Sequence, residues 1–259
     1  MRTRATVTLS IAAALLLTSC SGGSDDSASG GDADVLRVAT EGTYAPFTFH
    51  DPDTDELTGY DVEVARAVGE QLGMQVEFSE TTFDSIFAGL EADRYDVIAN
   101  QVTINPDRQE KYLFSEPYTV STGVVITRAD DDSVSSLADI AGKTSAQSLT
   151  SSFNDVATQA GAQVQAVEGF TQAITLLEQG RVDVTVNDSL AFLEYQKTTG
   201  DDGVKIAAEI DQPSEQALVF RQDSADLQER VNGALETLRE DGTLAQISEK
   251  YFGEDVSGQ

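Results

Sequence analysis

The sequence is poor in the residues that disulfides, metal centres and nucleic-acid interfaces require. Among its 259 residues are one cysteine, one histidine and 16 Lys and Arg, against 45 Asp and Glu. A single cysteine forms no internal disulfide, and His50 without a partner His or Cys does not indicate a metal site. The formal net charge of −29 repels phosphate backbones, which argues against nucleic-acid binding. Such a surface maintains solubility or attracts cationic ligands.

Motifs for catalysis are also missing. The sequence contains no nucleophile motif, no glycine-rich phosphate loop and no Cys/His cluster. Acidic runs at 51–55 and 130–132 lack the glycine and distal glutamate of a calcium-binding EF-hand. We therefore expect no metal, no cofactor and no enzymatic activity.

The first residues are typical of an export signal. Arg2 and Arg4 precede an apolar stretch at 11–17, which is too short to span a bilayer. It ends in LTSC at 17–20, which resembles the bacterial lipoprotein box, whose cysteine is lipidated and becomes the new N-terminus. This predicts a signal peptide at 1–19, a lipid on Cys20 and an extracytoplasmic protein anchored to the cell membrane. The alternative is a chance cleavage site with a spare thiol.

Beyond Cys20, the chain reads as a tether followed by an α/β fold. Residues 20–34 are mostly Ser, Gly, Asp and Ala, which predicts a flexible tether. From Val35 onward, short apolar runs alternate with helical patterns, which favours mainly parallel sheets. The pattern LE..R.DV..N at 90–100 recurs at 177–187. It indicates two similarly wound lobes, each with a strand ending at an Asn, unless the recurrence is coincidence.

Short segments spread over the chain carry a family resemblance. They are EGTYAPFTF at 41–49, LTGYDVE at 57–63, TINPDR at 103–108, FSEPY at 114–118, LADIAGK at 137–143, DGTL at 241–244 and KYFG at 250–253. In this order they resemble the polar-amino-acid branch of the type 2 periplasmic binding proteins, the solute-binding components of ABC importers. The resemblance implies two α/β lobes joined by two hinge strands. Lobe 1 would hold 35–118 with 214–259, lobe 2 would hold 123–212, and the hinges would lie near 119–122 and 213–217.

A free amino acid carries a carboxylate and an ammonium, and burying both requires charged partners. By resemblance, Arg108 would clamp the carboxylate, aided by Thr103 and by Thr150 and Ser151 in the second-lobe loop. Asp188 would hold the ammonium. Arg108 could instead be a surface arginine. Asp188 could instead cap the following helix, or it could both cap the helix and hold the ammonium.

Further contacts are implied by the same resemblance. Glu41 would lie near the ammonium, Tyr44 and Phe83 would pack on either side of the ligand, and Gln101 would add polar contacts. Alternatively, Glu41 is a solvated loop acid and Phe83 a core residue. The loop QSLTS at 147–151 lacks the glycine of many relatives, which puts its backbone shape in doubt.

The expected function is capture of an amino acid and its delivery to permease subunits by a monomeric binding protein. NQVT at 100–103, QSLTS at 147–151 and EGTY at 41–44 look most like cystine-binding members, so the expected ligand is L-cystine or a cysteine derivative. A sensory protein without transport and a carboxylic-acid dehydratase on the same fold are the alternatives. The dehydratase would need a general acid, for which Glu41 is the candidate.

Overall fold

The computed structural model describes residues 34–258, and the predicted signal peptide, Cys20 and most of the tether lie outside this range. The strands are β1 Val35–Thr40, β2 Thr43–Tyr44, β3 Thr48–His50, β4 Leu57–Thr58, β5 Gln75–Glu80, β6 Val97–Thr103, β7 Tyr112–Phe114, β8 Thr119–Arg128, β9 Thr144–Gln147, β10 Gln163–Ala166, β11 Val184–Asp188 and β12 Val204–Arg221. The helices are α1 Tyr60–Leu72, α2 Phe83–Glu91, α3 Pro106–Gln109, α4 Ser152–Gln159, α5 Gly169–Glu178, α6 Ser189–Thr199, α7 Ala225–Glu240 and α8 Thr243–Phe252, with a short 3-10 helix at Leu137–Ile140.

Local sequence signals account for many helix ends. Helix α1 buries Val64, Ala65 and Val68 on one face and ends at Gly73, whose φ of 67° is readily adopted only by glycine. Helix α3 begins with proline after Asn105, whose side chain accepts a hydrogen bond from the backbone N–H of Arg108 at 2.9 Å. This cap fixes the start of the helix that carries Arg108.

The main sheet runs through both halves of the molecule. Its strand order is β10-β9-β11-β8-β12-β6-β1-β5, and β7 adds to β12. β1 is parallel to β5 and β6, and β9 is parallel to β10 and β11, whereas β8 and β12 are antiparallel to their neighbours. We call the half around β1, β5 and β6 the first lobe and the half around β9, β10 and β11 the second lobe. The expected two-lobed α/β fold is confirmed.

Strands β8 and β12 connect the lobes. Thr119 of β8 pairs with Gln216 of β12, and Thr122 pairs with Pro213. The two segments predicted as hinges therefore lie side by side. The residue boundaries given for the lobes stay a prediction.

The predicted end of β6 at Asn100 is wrong. The strand continues to Thr103, because Val102 and Thr103 still pair with β12. β11 likewise includes Asp188 after Asn187. None of the helices between residues 34 and 258 is long and apolar enough to cross a membrane.

Candidate ligand-binding site

A small cavity of about 50 Å³ lies between the lobes, beside the ends of β1, β6 and β11. Parallel strands present their carboxyl ends at one edge of the sheet, where α/β proteins bind ligands. Most of the predicted contact residues line this cavity, namely Glu41, Tyr44, Phe83, Gln101, Thr103, Arg108 and Ser151. Thr150 and Asp188 do not.

Arg108 is a buried cation with 9% of its surface exposed, so it is not a surface arginine. Its guanidinium donates to the carbonyl of Thr103 at 2.9 Å and, across the cleft, to that of Thr150 at 3.0 Å. The rings of Phe83 and Phe87 lie 5.9 and 5.3 Å from it. Burial lowers the pKa of Arg108 to about 10. A buried guanidinium held only by neutral carbonyls and rings favours a bound carboxylate.

The loop before α4 faces Arg108 from the second lobe. Ser151 caps α4 by accepting a hydrogen bond from the N–H of Phe153 at 3.2 Å. Ser152 donates to the hydroxyl of Thr103 at 3.1 Å and so joins the lobes. The start of a helix carries partial positive charge, which favours an anion between it and Arg108.

Thr150 is turned away from the cavity. Its backbone N–H and its hydroxyl both donate to a carboxylate oxygen of Asp84, each at 2.9 Å. Only its carbonyl faces Arg108. The hydroxyl that was predicted to meet the ligand carboxylate therefore contacts Asp84 in this structure, while the neighbouring Ser151 lines the cavity.

Asp188 caps α6, as one of the two predicted roles requires. Its carboxylate, with 2% of the residue exposed, accepts from the N–H of Leu190 at 2.9 Å and from the hydroxyl of Ser121. Burial raises its pKa to about 6, and these two hydrogen bonds oppose the shift. Its role toward an ammonium stays a prediction, because Asn187 rather than Asp188 lines the cavity.

Glu41 is not a solvated loop acid. Asn100 donates to its carboxylate at 2.8 Å and accepts from its backbone N–H at 2.7 Å. Burial is the largest cause of a raised pKa for this carboxyl, opposed by the hydrogen bond from Asn100. Glu41 thus places negative charge in the cavity that also holds Arg108.

Aromatic rings from both lobes surround the cavity. Tyr44 lies 6.5 Å, centroid to centroid, from Phe170 of the second lobe and donates to the side-chain oxygen of Asn187 at 2.7 Å. Phe83 lines the cavity and also packs at 5.7 Å against Phe87, and its contact with a ligand stays a prediction. The rings give the cavity an apolar wall, and their contact with a ligand side chain stays a prediction.

Some lining residues were absent from the predicted site. They are Asn100, Ser148, Ser152, Phe153, Gly169, Phe170 and Asn187. Asn100 and Asn187 are the last residues of the two copies of the LE..R.DV..N pattern, so the repeat could have predicted them as site residues. The others depend on how the lobes meet, which the linear pattern does not encode.

A wider groove continues outward from the cavity. It measures about 710 Å³ and shares Glu41 and Gly169 with the cavity. Glu80 and Glu168 line its walls with several threonines. Within residues 34–258, no group of three or more His, Cys, Asp or Glu side chains is arranged to hold a metal ion.

Comparisons with known proteins agree with this geometry. Residues 36–254 match the bacterial extracellular solute-binding proteins, family 3. The chain is 52% identical over 252 residues to the L-cystine-binding protein TcyA of Bacillus subtilis, covering 93% of this chain and 94% of that one. It is 46% identical to the L-cystine solute receptor of Neisseria gonorrhoeae in the unliganded open conformation, with a TM-score of 0.58 and coverage of 88% and 96%.

The arrangement of the lobes is closer to that of a ligand-bound relative. An ancestral arginine-binding protein bound to arginine is only 35% identical but superposes with a TM-score of 0.79, covering 85% of this chain and 98% of that one. The higher score against the bound form agrees with the direct hydrogen bonds between the lobes, which mark a closed cleft. The matched family consists of binding proteins rather than enzymes. The chain belongs to the bacterial extracellular solute-binding proteins of family 3.

Proposed function

We propose that this protein binds a free amino acid, L-cystine or a cysteine derivative, between its lobes and delivers it to the permease of an ABC importer. The observation that carries the proposal is the pair of opposite charges that line one cavity between the lobes. Arg108 offers a buried guanidinium without a carboxylate among its hydrogen-bond partners in the described chain, and Glu41 offers a half-buried carboxylate. A zwitterion would neutralise both groups.

Binding would operate by hinge closure about β8 and β12. The ligand would first contact Arg108 and the aromatic rings of the first lobe, and Ser151, Asn187 and Asp188 would then approach from the second. A ligand stabilises the closed form only through contacts that the open form lacks. The permease would recognise the closed form.

The groove supports a ligand longer than one amino acid. Cystine consists of two amino acids joined by a disulfide, so a cavity that accepts one head must leave room for the second. The groove begins where the cavity ends, at Glu41 and Gly169, and the carboxylates of Glu80 and Glu168 suit a second ammonium. The names of the Bacillus and Neisseria relatives point to the same ligand.

We also propose that the mature protein is a monomer held at the outer face of the cell membrane by a lipid on Cys20. Residues 20–34 would act as the tether between lipid and fold. Metabolic labelling with a radioactive fatty acid tests the anchor: the wild-type chain should carry label, and Cys20→Ser should not.

A melting experiment tests ligand binding. A ligand at a hundredfold excess over its Kd stabilises the native state by about 2.7 kcal/mol. Mature protein should melt higher in cystine. If arginine or glutamine raises the melting temperature and cystine does not, the proposed ligand is wrong. If no amino acid has an effect, the proposed function is wrong.

A further inference from the structure

The carboxylate of Glu80 lies in the wide groove, beside the point where the groove meets the cavity. Glu80 is the last residue of β5 and pairs with Thr40, the last residue of β1, at the sheet edge that borders the cavity. Its carboxylate rests against Gly42, where a Cβ atom would collide with Oε2. Gly42 follows Glu41, which lines both cavity and groove. With 43% of its side chain exposed, Glu80 is accessible to a ligand in the groove.

The ring of His50 is held between two acceptors. Its Nδ1 lies 2.9 Å from the carbonyl oxygen of Asp55, and its Nε2 lies 2.9 Å from Oε2 of Glu80. A carbonyl and an ionised carboxylate only accept hydrogen bonds, whereas a neutral imidazole has a single N–H. Both contacts are hydrogen bonds only when the ring carries two N–H groups. Because an imidazole is a stronger base than a carboxylate, the shared proton belongs to His50 and the ring is an imidazolium.

The surroundings of the ring favour its charged form. The carbonyl of Asp55 and then the carboxylate of Glu80 raise the pKa of His50 above its ordinary value of 6.5. The carboxylate of Asp55 lies 3.8 Å from Nδ1. Tyr195 of α6 lines a surface pocket with His50 and stays neutral, because burial raises its pKa. Within residues 34–258, the charged groups that face the ring are therefore these two carboxylates.

The proton on His50 decides how much negative charge Glu80 presents to the groove. With the imidazolium at 2.9 Å, Glu80 belongs to a neutral pair. With a neutral ring, its charge adds to those of Glu41 and Glu168, which line the same groove. A carboxylate accepts several hydrogen bonds, so Glu80 can bind an ammonium group, but two cations beside it repel each other. Binding of an ammonium and protonation of His50 therefore oppose each other.

We propose that Glu80 binds the second ammonium group of cystine and that His50 is a positioning residue whose charge sets the strength of this contact. The proposal rests on the proposed function, because it requires a ligand with a second ammonium group. His50 acts through Glu80 and contacts no ligand. Cystine should bind more weakly below the pKa of His50 and more tightly above it.

Two substitutions fix the charge at position 50. His50→Gln is neutral and keeps an N–H donor for Glu80, whereas His50→Lys stays charged. Exposed ion pairs are weak, so the Kd for cystine should change by about two- to fivefold. At pH 6 the wild type should match His50→Lys and bind more weakly than His50→Gln by this factor, and at pH 8 it should approach His50→Gln. Ratios taken at one pH cancel the titration of cystine and of other carboxyls.

The second ammonium group is tested with S-methyl-L-cysteine, which has only one. The Kd values of His50→Gln and His50→Lys should be equal for this ligand. Glu80→Gln should raise the Kd for cystine at pH 8 by about two- to fivefold. Glu77→Gln is the matched control, since Glu77 is an exposed glutamate of the same strand that lines neither cavity nor groove. Equal cystine affinity of the two His50 variants at pH 6, or an unchanged Kd in Glu80→Gln, overturns the proposal.

An NMR titration of the wild type needs no variant, because His50 is the only histidine of the chain. By linkage, an effect of about two- to fivefold on the Kd lowers the pKa of His50 by about 0.3–0.7 when cystine binds. The ring resonances of untagged protein, with and without saturating cystine, measure this difference. A pKa that stays constant or rises on binding overturns the proposal while the proposed function stands. Failure to bind any amino acid overturns both.

Discussion

Asp84 and Thr150 join the two lobes at the rim of the cleft. One carboxylate oxygen of Asp84 accepts from the backbone N–H and the hydroxyl of Thr150, each at 2.9 Å, and the other accepts from the N–H of Leu149 at 3.1 Å. Asp84 lies in the first turn of α2, in the first lobe. These hydrogen bonds belong to the closed cleft, because opening would separate α2 from the loop.

Asp84→Ala should therefore weaken ligand binding without removing a ligand contact. The three lost hydrogen bonds contribute about 0.5–1.5 kcal/mol each, which predicts a Kd raised at least about tenfold, mainly through faster release. Calorimetry and stopped-flow dissociation measure the two quantities. Asp226→Ala is the control, since Asp226 occupies the first turn of α7. An unchanged dissociation rate for Asp84→Ala would rule out this role.

The orientation of the Thr150 side chain is a feature that the sequence did not predict. The cap at Asn105, the helix Ala225–Glu240 and the strand Val35–Thr40 have local signals, and the structure reproduces them. The orientation of Thr150 depends on Asp84, which is 66 residues away in the chain. Side-chain contacts between the lobes form only when the cleft closes. The sequence therefore predicted which segments face each other across the cleft, but not which atoms form hydrogen bonds there.

The left-handed backbone of Gln101 had no sequence signal either. Glycine or asparagine marks such positions in many chains, and here a glutamine is held there by Asp61, 40 residues earlier. The same bend lies within β6, whose end was misplaced at Asn100. A rule based on residue type fails where a distant buried side chain imposes the conformation.

Arg108→Ala should abolish cystine binding, with a Kd raised at least about 100-fold. The buried carboxylate of the ligand would lose the guanidinium whose positive charge balances it. Arg108→Lys should recover little, since an ammonium cannot hold both carbonyls and the ligand in a planar geometry. Arg66→Ala is a matched control, because Arg66 also lies over a ring, that of Phe78 at 5.5 Å, and bonds a backbone carbonyl. Near-normal affinity in Arg108→Ala would contradict the proposed clamp.

Asp188→Asn separates the two roles of Asp188. Asparagine caps helices about as well as aspartate and carries no buried charge, so the ligand-free protein should melt no lower than the wild type. If the carboxylate also holds the ammonium, the Kd for cystine should rise about tenfold or more, in line with the loss of a charged hydrogen bond. Calorimetry on both proteins measures this. Unchanged affinity would leave Asp188 with the capping role alone.

Buried carboxyls predict a pH dependence for the ligand-free protein. Burial raises the pKa of Asp61 to about 7 and that of Asp188 to about 6, from an ordinary value of 3.8. A carboxyl with a raised folded-state pKa contributes stability that is present below pH about 4 and lost as the pH rises through 6 and 7. The melting temperature should therefore fall from pH 5 to pH 8, by about 2–4 °C per kcal/mol lost.

Asp61→Asn should remove much of this slope, because the substituted side chain does not titrate. Asp139→Asn should leave the slope unchanged, since hydrogen bonds from Ser135 and Ser136 lower the pKa of Asp139 and place its titration below this window. Saturating cystine should also flatten the slope in the wild-type protein, because a bound ammonium favours the ionised carboxylates near it. Melting curves at fixed ionic strength measure all three, and a wild-type slope that rises with pH would contradict the assignment.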